Sequence, residues 1–514
     1  MTIPGEKWYT EFHSEGRSPH AIADGFVLDK RSTAVDSYPA FFVWIASNAM
    51  LPSQKIVWKK GGLPVENNSS NLTEGSIGRR LITFAIPYLI ANFVQALYGA
   101  VDLAVIGWFC DPASVAAVST GTQVTQIVTS LITGLTLGGT ILVGKYTGMR
   151  DEKQTCKSIG TTLTVFAAFS VVLMILVIGL ASPILTALQT PEEAFVLARQ
   201  YVVTCGWGIP FICGYNAISA ILRGYGDSQR PMLFIALACM LNIAGDLLLT
   251  GVFGWGVRGV AVATIAAQAV SMVCAIVYLN RGHFIFKFTV RNLRIDGARA
   301  RELARVGIPI SFQELMVRIS FLYLTAVVNA LGVDAASAVG VASKYDVFAM
   351  LPATSVASAL AAFTAQNYGA QRPARVRTAV GAGLGFALAA AACFFLWAQL
   401  SPQSMIGLFT RDAATIAVGV PFFRACSFDY LMVTFVFCLN GYLNGRSKTL
   451  FTMFSCCFGA LCVRIPLLYL VQTYRPDSLF LLGCVAPLVS GVMAVYTIAY
   501  TVRQFRLDLR PALC

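Results

Sequence analysis

Apolar stretches of twenty or more residues alternate with short polar joints along this chain from about residue 76 onward. Each stretch approaches or exceeds the roughly 20 residues that cross the hydrocarbon core of a bilayer as a helix. Backbone groups in lipid must be paired within the chain, which favours helices over isolated strands. The expected spans are residues 81–109, 115–143, 158–181, 196–222, 232–253, 257–280, 304–331, 335–365, 378–400, 415–443, 449–471 and 479–502. The pattern predicts an all-α membrane protein with twelve transmembrane helices.

The two halves of the apolar region repeat one another. A shift of about 220 residues lays Ile86 and Pro87 on Ile308 and Pro309, and similar matches recur further along. Each half holds six expected spans, an even number, so both halves start on the same side of the membrane. This arrangement is typical of parallel transporter repeats, whose axis lies along the membrane normal. We therefore expect two pseudo-symmetric lobes of six helices.

The expected boundaries follow from these spans. The chain divides into a polar N-terminal leader at 1–75, a first lobe at 76–280 (the N-lobe), a linker at 281–302, a second lobe at 303–503 (the C-lobe) and a basic tail at 504–514. The leader is rich in Ser, Asn and Pro and has no run long enough to span a bilayer. We expect it to be disordered, or to reflect a start codon assigned too far upstream.

Composition agrees with a membrane protein, since 56% of the residues are hydrophobic and only 12% are charged. The net charge of +13 raises the question of a nucleic-acid partner. The basic residues, however, concentrate in alternate joints, most densely between residues 281 and 305, while the opposite joints hold few. This is the positive-inside pattern. It places both termini of a multi-pass protein in the cytoplasm and accounts for the charge without nucleic acid.

Three polar residues in the N-terminal half are candidates for chemistry at membrane depth. Asp102 lies in the first span, and Asn242 and Asp246 lie four residues apart in the fifth span, on one helix face. Placing an ionised side chain in the bilayer costs roughly 3 kcal/mol or more, so such a side chain usually has a partner or a function. Oxygen ligands of this kind suit either Na⁺ or a proton shared between acids. The other interpretation is a hydrogen-bonded polar pair that holds helices together.

The C-terminal half contains charges of both signs within its spans. Glu314 and Lys344 are the weaker site candidates, and Asp346, Asp429 and Arg464 lie on other spans of that half. Because opposite signs are available, these residues suit internal ion pairs as well as substrate contacts.

Enzyme and sensor classes find little support in the sequence. The segment 139–145 reads GxxxxGK but continues with Tyr and follows no strand, so it is not expected to bind phosphate. HExxH and GxSxG motifs are absent, which leaves no centre for a membrane hydrolase. We expect a protein that is not an enzyme and needs no cofactor beyond a coupling ion. A membrane sensor or scaffold would not need buried acids.

Several segments together resemble the multidrug and toxic compound extrusion (MATE) family, in its bacterial DinF-like branch. The resemblance covers residues 72 to about 503. Its motifs are LTEGSIGRRLITFAIP, QALYGAVDLAVIG, LRGYGDSQRPM, NIAGDLLL, GVRGVAVATIAAQ and FTAQNYGAQRPARV. Their order and spacing carry the resemblance more than any single motif does.

The resemblance implies a monomeric exporter of the bacterial inner membrane. It would expel small amphipathic, mostly cationic compounds in exchange for inward Na⁺ or H⁺. By position, Asp102, Asn242 and Asp246 look like the family's N-lobe cation site, with Thr264 as a further ligand and Tyr201 nearby. The first three and Thr264 would be the ligands of Na⁺. Members that use acids of the C-lobe place them differently, so Glu314 is not assigned that role.

A flippase for lipid-linked saccharides remains an alternative within transport. Such a protein would line its cavity with basic residues for a pyrophosphate, and Arg318, Lys344 and Arg424 are available for this.

Overall fold

The computed structural model describes residues 71–281, 284–289, 292–331, 333–409, 412–475 and 478–509. Within these ranges the regular structure is entirely helical, and twelve helices are long and apolar enough to cross a membrane. The predicted fold class, an all-α membrane protein with twelve spans, is confirmed.

The twelve spans are named α1 to α12 in chain order, and two short helices at Ala181–Ala187 and Pro402–Gly407 follow α3 and α9. The spans are α1 Ile77–Phe109, α2 Pro112–Gly148, α3 Glu152–Gly179, α4 Glu192–Tyr225, α5 Gln229–Asp246 with a π turn at Leu247–Val252, α6 Gly256–Arg281, α7 Gly297–Asn329, α8 Val333–Gly369, α9 Pro373–Leu400, α10 Ala413–Cys426 and Phe428–Gly445, α11 Thr449–Cys457 with a π turn at Phe458–Arg464 and then Ile465–Tyr474, and α12 Leu479–Leu509.

Turn geometry repeats between the two halves. Arg150 and Gln371 both take a left-handed backbone conformation, with φ of 57° at each, in the turns after α2 and α8. Gly226 and Ser447 do the same in the turns after α4 and α10, with φ of 103° and 60°. Both pairs are 221 residues apart, close to the offset of the sequence repeat. The halves therefore turn back on themselves in the same way.

Each half buries its own apolar core. In the N-lobe, Ile106, Phe166 and Val202 belong to one buried cluster. In the C-lobe, Phe423 and Leu468 belong to another. The most enclosed spans are α2 and α4 in the first half and α8 and α10 in the second. The outer spans leave apolar side chains exposed, as expected for helices that face lipid.

The lobes meet where α2 packs on α7 and α8 and where α1 packs on α8. A Cβ atom added at Gly134 would lie 2.2 Å from the backbone nitrogen of Ser311, so glycine permits the close approach of α2 and α7. The Ser311 hydroxyl donates to the carbonyl of Leu131 at 2.7 Å. Between α1 and α8, the Asn92 amide donates to the Ser355 hydroxyl at 3.1 Å.

One end of the bundle is called the basic end here, and it is where the odd-numbered spans begin. The residues just before α7 dock there on the N-lobe: the backbone N–H of Asp296 donates to the Thr161 hydroxyl at 3.1 Å. A Cβ added at Gly160 would lie 2.7 Å from the carbonyl oxygen of Asn292. Residues 71–75, the described part of the expected leader, dock on the C-lobe, and residues 1–70 lie outside the described part of the chain.

Candidate functional site

The three predicted acidic and amide side chains of the N-lobe are buried together. Asp102 on α1 is 4% exposed, and Asn242 and Asp246 on α5 are 0% exposed. The π turn of α5 begins directly after Asp246, and π turns in helices are frequent at functional sites. The sequence spacing predicted that Asn242 and Asp246 share one helix face. The packing of α1 on α5 brings Asp102 next to them.

These side chains contact one another. The Asp102 carboxyl group lies within interaction distance of the Asp246 carboxyl group, the Asn242 amide and the Thr264 hydroxyl. The Asn242 amide nitrogen donates to the Thr264 hydroxyl on α6 at 3.4 Å. Three helices therefore supply the four residues that the resemblance had named as ligands.

Several oxygens of this cluster have no hydrogen-bond donor. Among the described residues, Oδ1 of Asp102, Oδ1 of Asn242 and both carboxyl oxygens of Asp246 are buried without one. Two carboxylates side by side repel each other unless a proton or a cation lies between them. Neither forms an ion pair with lysine or arginine in the described parts of the chain. The arrangement is suited to a small exchangeable cation.

Tyr201 lies beside the cluster rather than within it. Its side chain on α4 is 3% exposed and interacts with the Cys205 thiol, which is itself close to Asp102. The ring packs on α2, where a Cβ added at Gly121 would fall 2.3 Å from its Cδ1 atom. Tyr201 is thus a neighbour of the site, one contact away from the acids.

Sequence reasoning missed Gln268 on α6. Its side chain is 9% exposed, and its Oε1 accepts no hydrogen bond among the residues that the structure describes. It follows Thr264 by four residues and therefore lies on the same helix face. The signal was present, since Gln268 closes the GVRGVAVATIAAQ motif.

Glu314 and Lys344, the weaker candidates, lie elsewhere. Glu314 on α7 is half-buried, and its carboxyl group is close to Arg318 and to the Cys456 thiol. Lys344 is an exposed residue of α8. The structure joins neither to the N-lobe acids.

A second charged cluster lies in the C-lobe. Asp346 on α8 is close to Asp429 and Tyr430 on α10 and to Arg464 on α11. Arg464 is 8% exposed, and its guanidinium carbon lies 4.3 Å from the centre of the Phe321 ring. The sequence had shown these charges but not which of them meet.

Comparison with known proteins supports this architecture. A protein-family model described as MatE matches residues 87–248 and matches again at residues 309–470, as expected for an internal repeat. The chain is 25% identical over 406 residues to the probable multidrug resistance protein YoeA of Bacillus subtilis, covering 78% of this chain and 88% of that protein. It is 23% identical over 404 residues to the probable multidrug resistance protein NorM of Thermotoga maritima, covering 77% and 86%.

A solved structure has the same fold. It is described as the outward-facing conformation of a multidrug resistance MATE family transporter, and it aligns with a TM-score of 0.80 at 21% identity, over 86% of this chain and 99% of its own. The family model covers more than half of the chain. The chain is therefore a multi-pass membrane protein that belongs to the MATE family of bacterial transporters, as the sequence motifs had predicted, and its placement in the DinF-like branch stays a prediction.

Proposed function

We propose that this protein exports small amphipathic organic compounds, mainly cations, in exchange for Na⁺ or H⁺ that binds at Asp102 and Asp246. One observation carries the proposal: two buried carboxyl groups contact each other, an amide and a hydroxyl, and retain unpaired oxygens. Drug export agrees with the named activity of the relatives YoeA and NorM.

Competition for negative charge would couple the two fluxes. A coupling ion bound between the carboxyl groups cancels the charge that attracts a cationic drug, so the two ligands favour different conformations. Asn242 and Thr264 would supply neutral oxygen ligands if the ion is Na⁺. A proton would instead be shared by the two carboxyl groups.

The alternating positive charge of the joints supports placing the basic end in the cytoplasm. The interlobe contacts at that end would then close the cytoplasmic side, so this conformation would open outward. In that state the coupling ion enters from outside, and its binding promotes the return to the inward-open state.

The test is dye efflux from proteoliposomes that contain the full chain. A Na⁺ gradient at constant pH and a pH gradient without Na⁺ should be imposed separately. Asp102→Asn should reduce ion-driven efflux by about 100-fold or more, because an amide cannot carry the charge for which the two cations compete. Folding and membrane insertion should be preserved.

Asp111→Asn is the matched control. Asp111 lies at the far end of α1, where its Oδ1 accepts the backbone N–H of Ser114 at 3.2 Å, and asparagine caps helices equally well. It should export normally. Normal dye export by Asp102→Asn, or export in wild type that neither gradient drives, would refute the proposal.

The saccharide flippase has weaker support. Arg318 donates to the Ser130 hydroxyl at 3.0 Å and to the Gln126 amide oxygen at 3.1 Å, so its guanidinium already belongs to the contact between α7 and α2. Accumulation of lipid-linked envelope precursors in a deletion strain would favour the flippase instead.

A further inference from the structure

The five residues before α1, residues 71–75, are called the strap here. They precede the N-lobe in sequence, yet side chains of α8, α9 and the turn between these helices hold them. Four hydrogen bonds do so: from Leu72 N to Gln366 Oε1 at 3.2 Å, from Asn367 Nδ2 to Leu72 O at 3.2 Å, from Arg372 Nη1 to Thr73 O at 2.8 Å and from Arg375 Nη2 to Gly75 O at 3.0 Å. All four bonds are made to main-chain atoms of the strap.

An apolar anchor adds to these bonds. The Leu72 side chain is 1% exposed and belongs to a cluster made mostly of C-lobe residues such as Val356, Phe363 and Val376, to which α1 adds Leu81 and Phe84. Full burial of a leucine side chain is worth about 1.5–3 kcal/mol. The strap is therefore firmly docked on the C-lobe.

The strap also contacts the N-lobe. The Glu74 carboxylate forms an ion pair with Arg150, in the turn between α2 and α3. Gln366, which accepts the N–H of Leu72, donates its own amide to the carbonyl of Gly224 at the end of α4, at 2.8 Å. One chain segment and one glutamine thus join both lobes at the basic end.

The backbones of the two lobes touch beneath the strap. A Cβ added at Gly148 would lie 2.0 Å from the carbonyl oxygen of Gln366, and one added at Gly369 would lie 2.2 Å from the carbonyl oxygen of Lys145. Separation of α2 from α8 at this end must move Gln366. The contacts of the strap with the two lobes then cannot all persist.

We propose that the strap is a latch that binds across both lobes and holds the basic end closed, with the Glu74–Arg150 pair as the bond that breaks when that end opens. The proposal rests on the alternating-access part of the proposed function but not on which residues bind the ion. Opening requires the strap to lose its contact with Arg150 in the turn after α2, while Leu72 stays bound to the C-lobe.

The ion pair sets the size of the expected effect. The Glu74 and Arg150 side chains are 42% and 70% exposed, and exposed pairs make small contributions. Loss of the pair should therefore increase the open population by about two- to fivefold. Charge reversal in Glu74→Lys should increase it further, because like charges would then face each other.

The experiment is hydrogen–deuterium exchange of the full chain in lipid nanodiscs without substrate, followed in peptides covering residues 141–150 and 362–372. Glu74→Gln and Glu74→Lys should accelerate exchange in these peptides only, and adding Arg150→Glu to Glu74→Lys should restore wild-type rates. Glu152→Gln, an exposed glutamate at the same end, is the matched control and should change nothing.

Three outcomes would overturn the latch. Exchange in both Glu74 variants could equal that of the control, the double variant could fail to restore the rates, or faster exchange could extend through the whole chain with a lower Tm. The effect should persist in Asp102→Asn. A result that refutes the latch therefore does not refute the cation-site proposal, and a result that refutes the cation site does not refute the latch.

Discussion

The two lobes share a fold but treat buried charge in opposite ways. In the N-lobe, Asp102 and Asp246 contact each other and, within the described residues, pair with no basic side chain. In the C-lobe, Asp346 and Asp429 both lie close to the positive charge of Arg464, although Oδ1 of Asp429 and Nη1 of Arg464 form no hydrogen bond among the described residues. A buried charge without a partner needs a mobile counter-ion, whereas a charge with a fixed partner does not. The comparison supports the proposal that the N-lobe exchanges a cation, whereas the C-lobe acids have a positive side chain of the protein beside them.

The π turns make the contrast local. In α5 the turn begins after Asp246, and in α11 the turn ends at Arg464. Equivalent spans of the two halves therefore each carry a π turn beside a buried charge, and the two charges have opposite signs. The turns are not in register, because a shift of 221 residues carries 247–252 to 468–473.

The largest expected effect comes from making the C-lobe resemble the N-lobe. Arg464→Leu leaves Asp346 and Asp429 without their fixed counter-ion and should destabilise the protein by about 3–5 kcal/mol. Stability should then depend on Na⁺ or pH where it did not before. Thermal unfolding in detergent, scanned over both variables, measures this.

Two further variants sharpen that prediction. Addition of Asp429→Asn to Arg464→Leu should recover part of the lost stability, because one uncompensated charge is removed. Arg424→Leu changes an exposed arginine of α10 and should have little effect. Equal stability of Arg464→Leu and wild type would show that the C-lobe acids do not need the arginine.

A smaller effect on stability is expected at the contact between Gly121 and Tyr201, beside the N-lobe acids. Gly121→Ala places a methyl group against the Tyr201 ring and should cost about 1–3 kcal/mol by overpacking. Because the ring neighbours the acid cluster through Cys205, the apparent affinity for the coupling ion should also fall. Unfolding and ion-dependent efflux measure the two effects. Gly99→Ala is the control, since open space surrounds that position. Equal stability of the Gly121→Ala and Gly99→Ala variants would contradict close packing at Gly121.

The smallest effect tests how far the N-lobe cluster extends. Gln268→Leu removes the unpaired amide oxygen one turn from Thr264 and should weaken cation binding by about 1 kcal/mol, close to fivefold. Gln268→Glu should strengthen it by adding charge. Ion titrations of transport measure both variants. Unchanged affinity in both would confine the site to the four predicted residues.

The sequence predicted the fold well because its signal is local. Twenty apolar residues in a row define a span regardless of what the rest of the chain does, so the number of spans was correct. Asn242 and Asp246 could be joined in advance because they are four residues apart in one helix. The contact with Asp102 does not follow from spacing, since it depends on how α1 packs against α5, and only the family resemblance grouped Asp102 with the other two.

The C-lobe cluster shows where sequence reasoning stops. Asp346, Asp429 and Arg464 come from three helices that are far apart in the chain, and no spacing rule links them. The sequence favoured Lys344 as a weaker site candidate, suited to an ion pair as well as to a substrate contact, yet Lys344 is exposed. The strap was equally hidden, because its polar composition resembles the expected leader and its order depends on groups almost 300 residues away.

The docking of residues 292–296 on the N-lobe and of residues 71–75 on the C-lobe has a consequence for biosynthesis. In each half, the segment before the first span packs on the other half. Neither half can therefore form all of its contacts until part of the other has been translated. The first part of α3, around Gly160 and Thr161, must wait uncovered until the segment before α7 is translated. Residues 71–75 must wait longer still, until α9 is inserted. Assembly of this protein should therefore end with its earliest described residues, which fold last although they are made first.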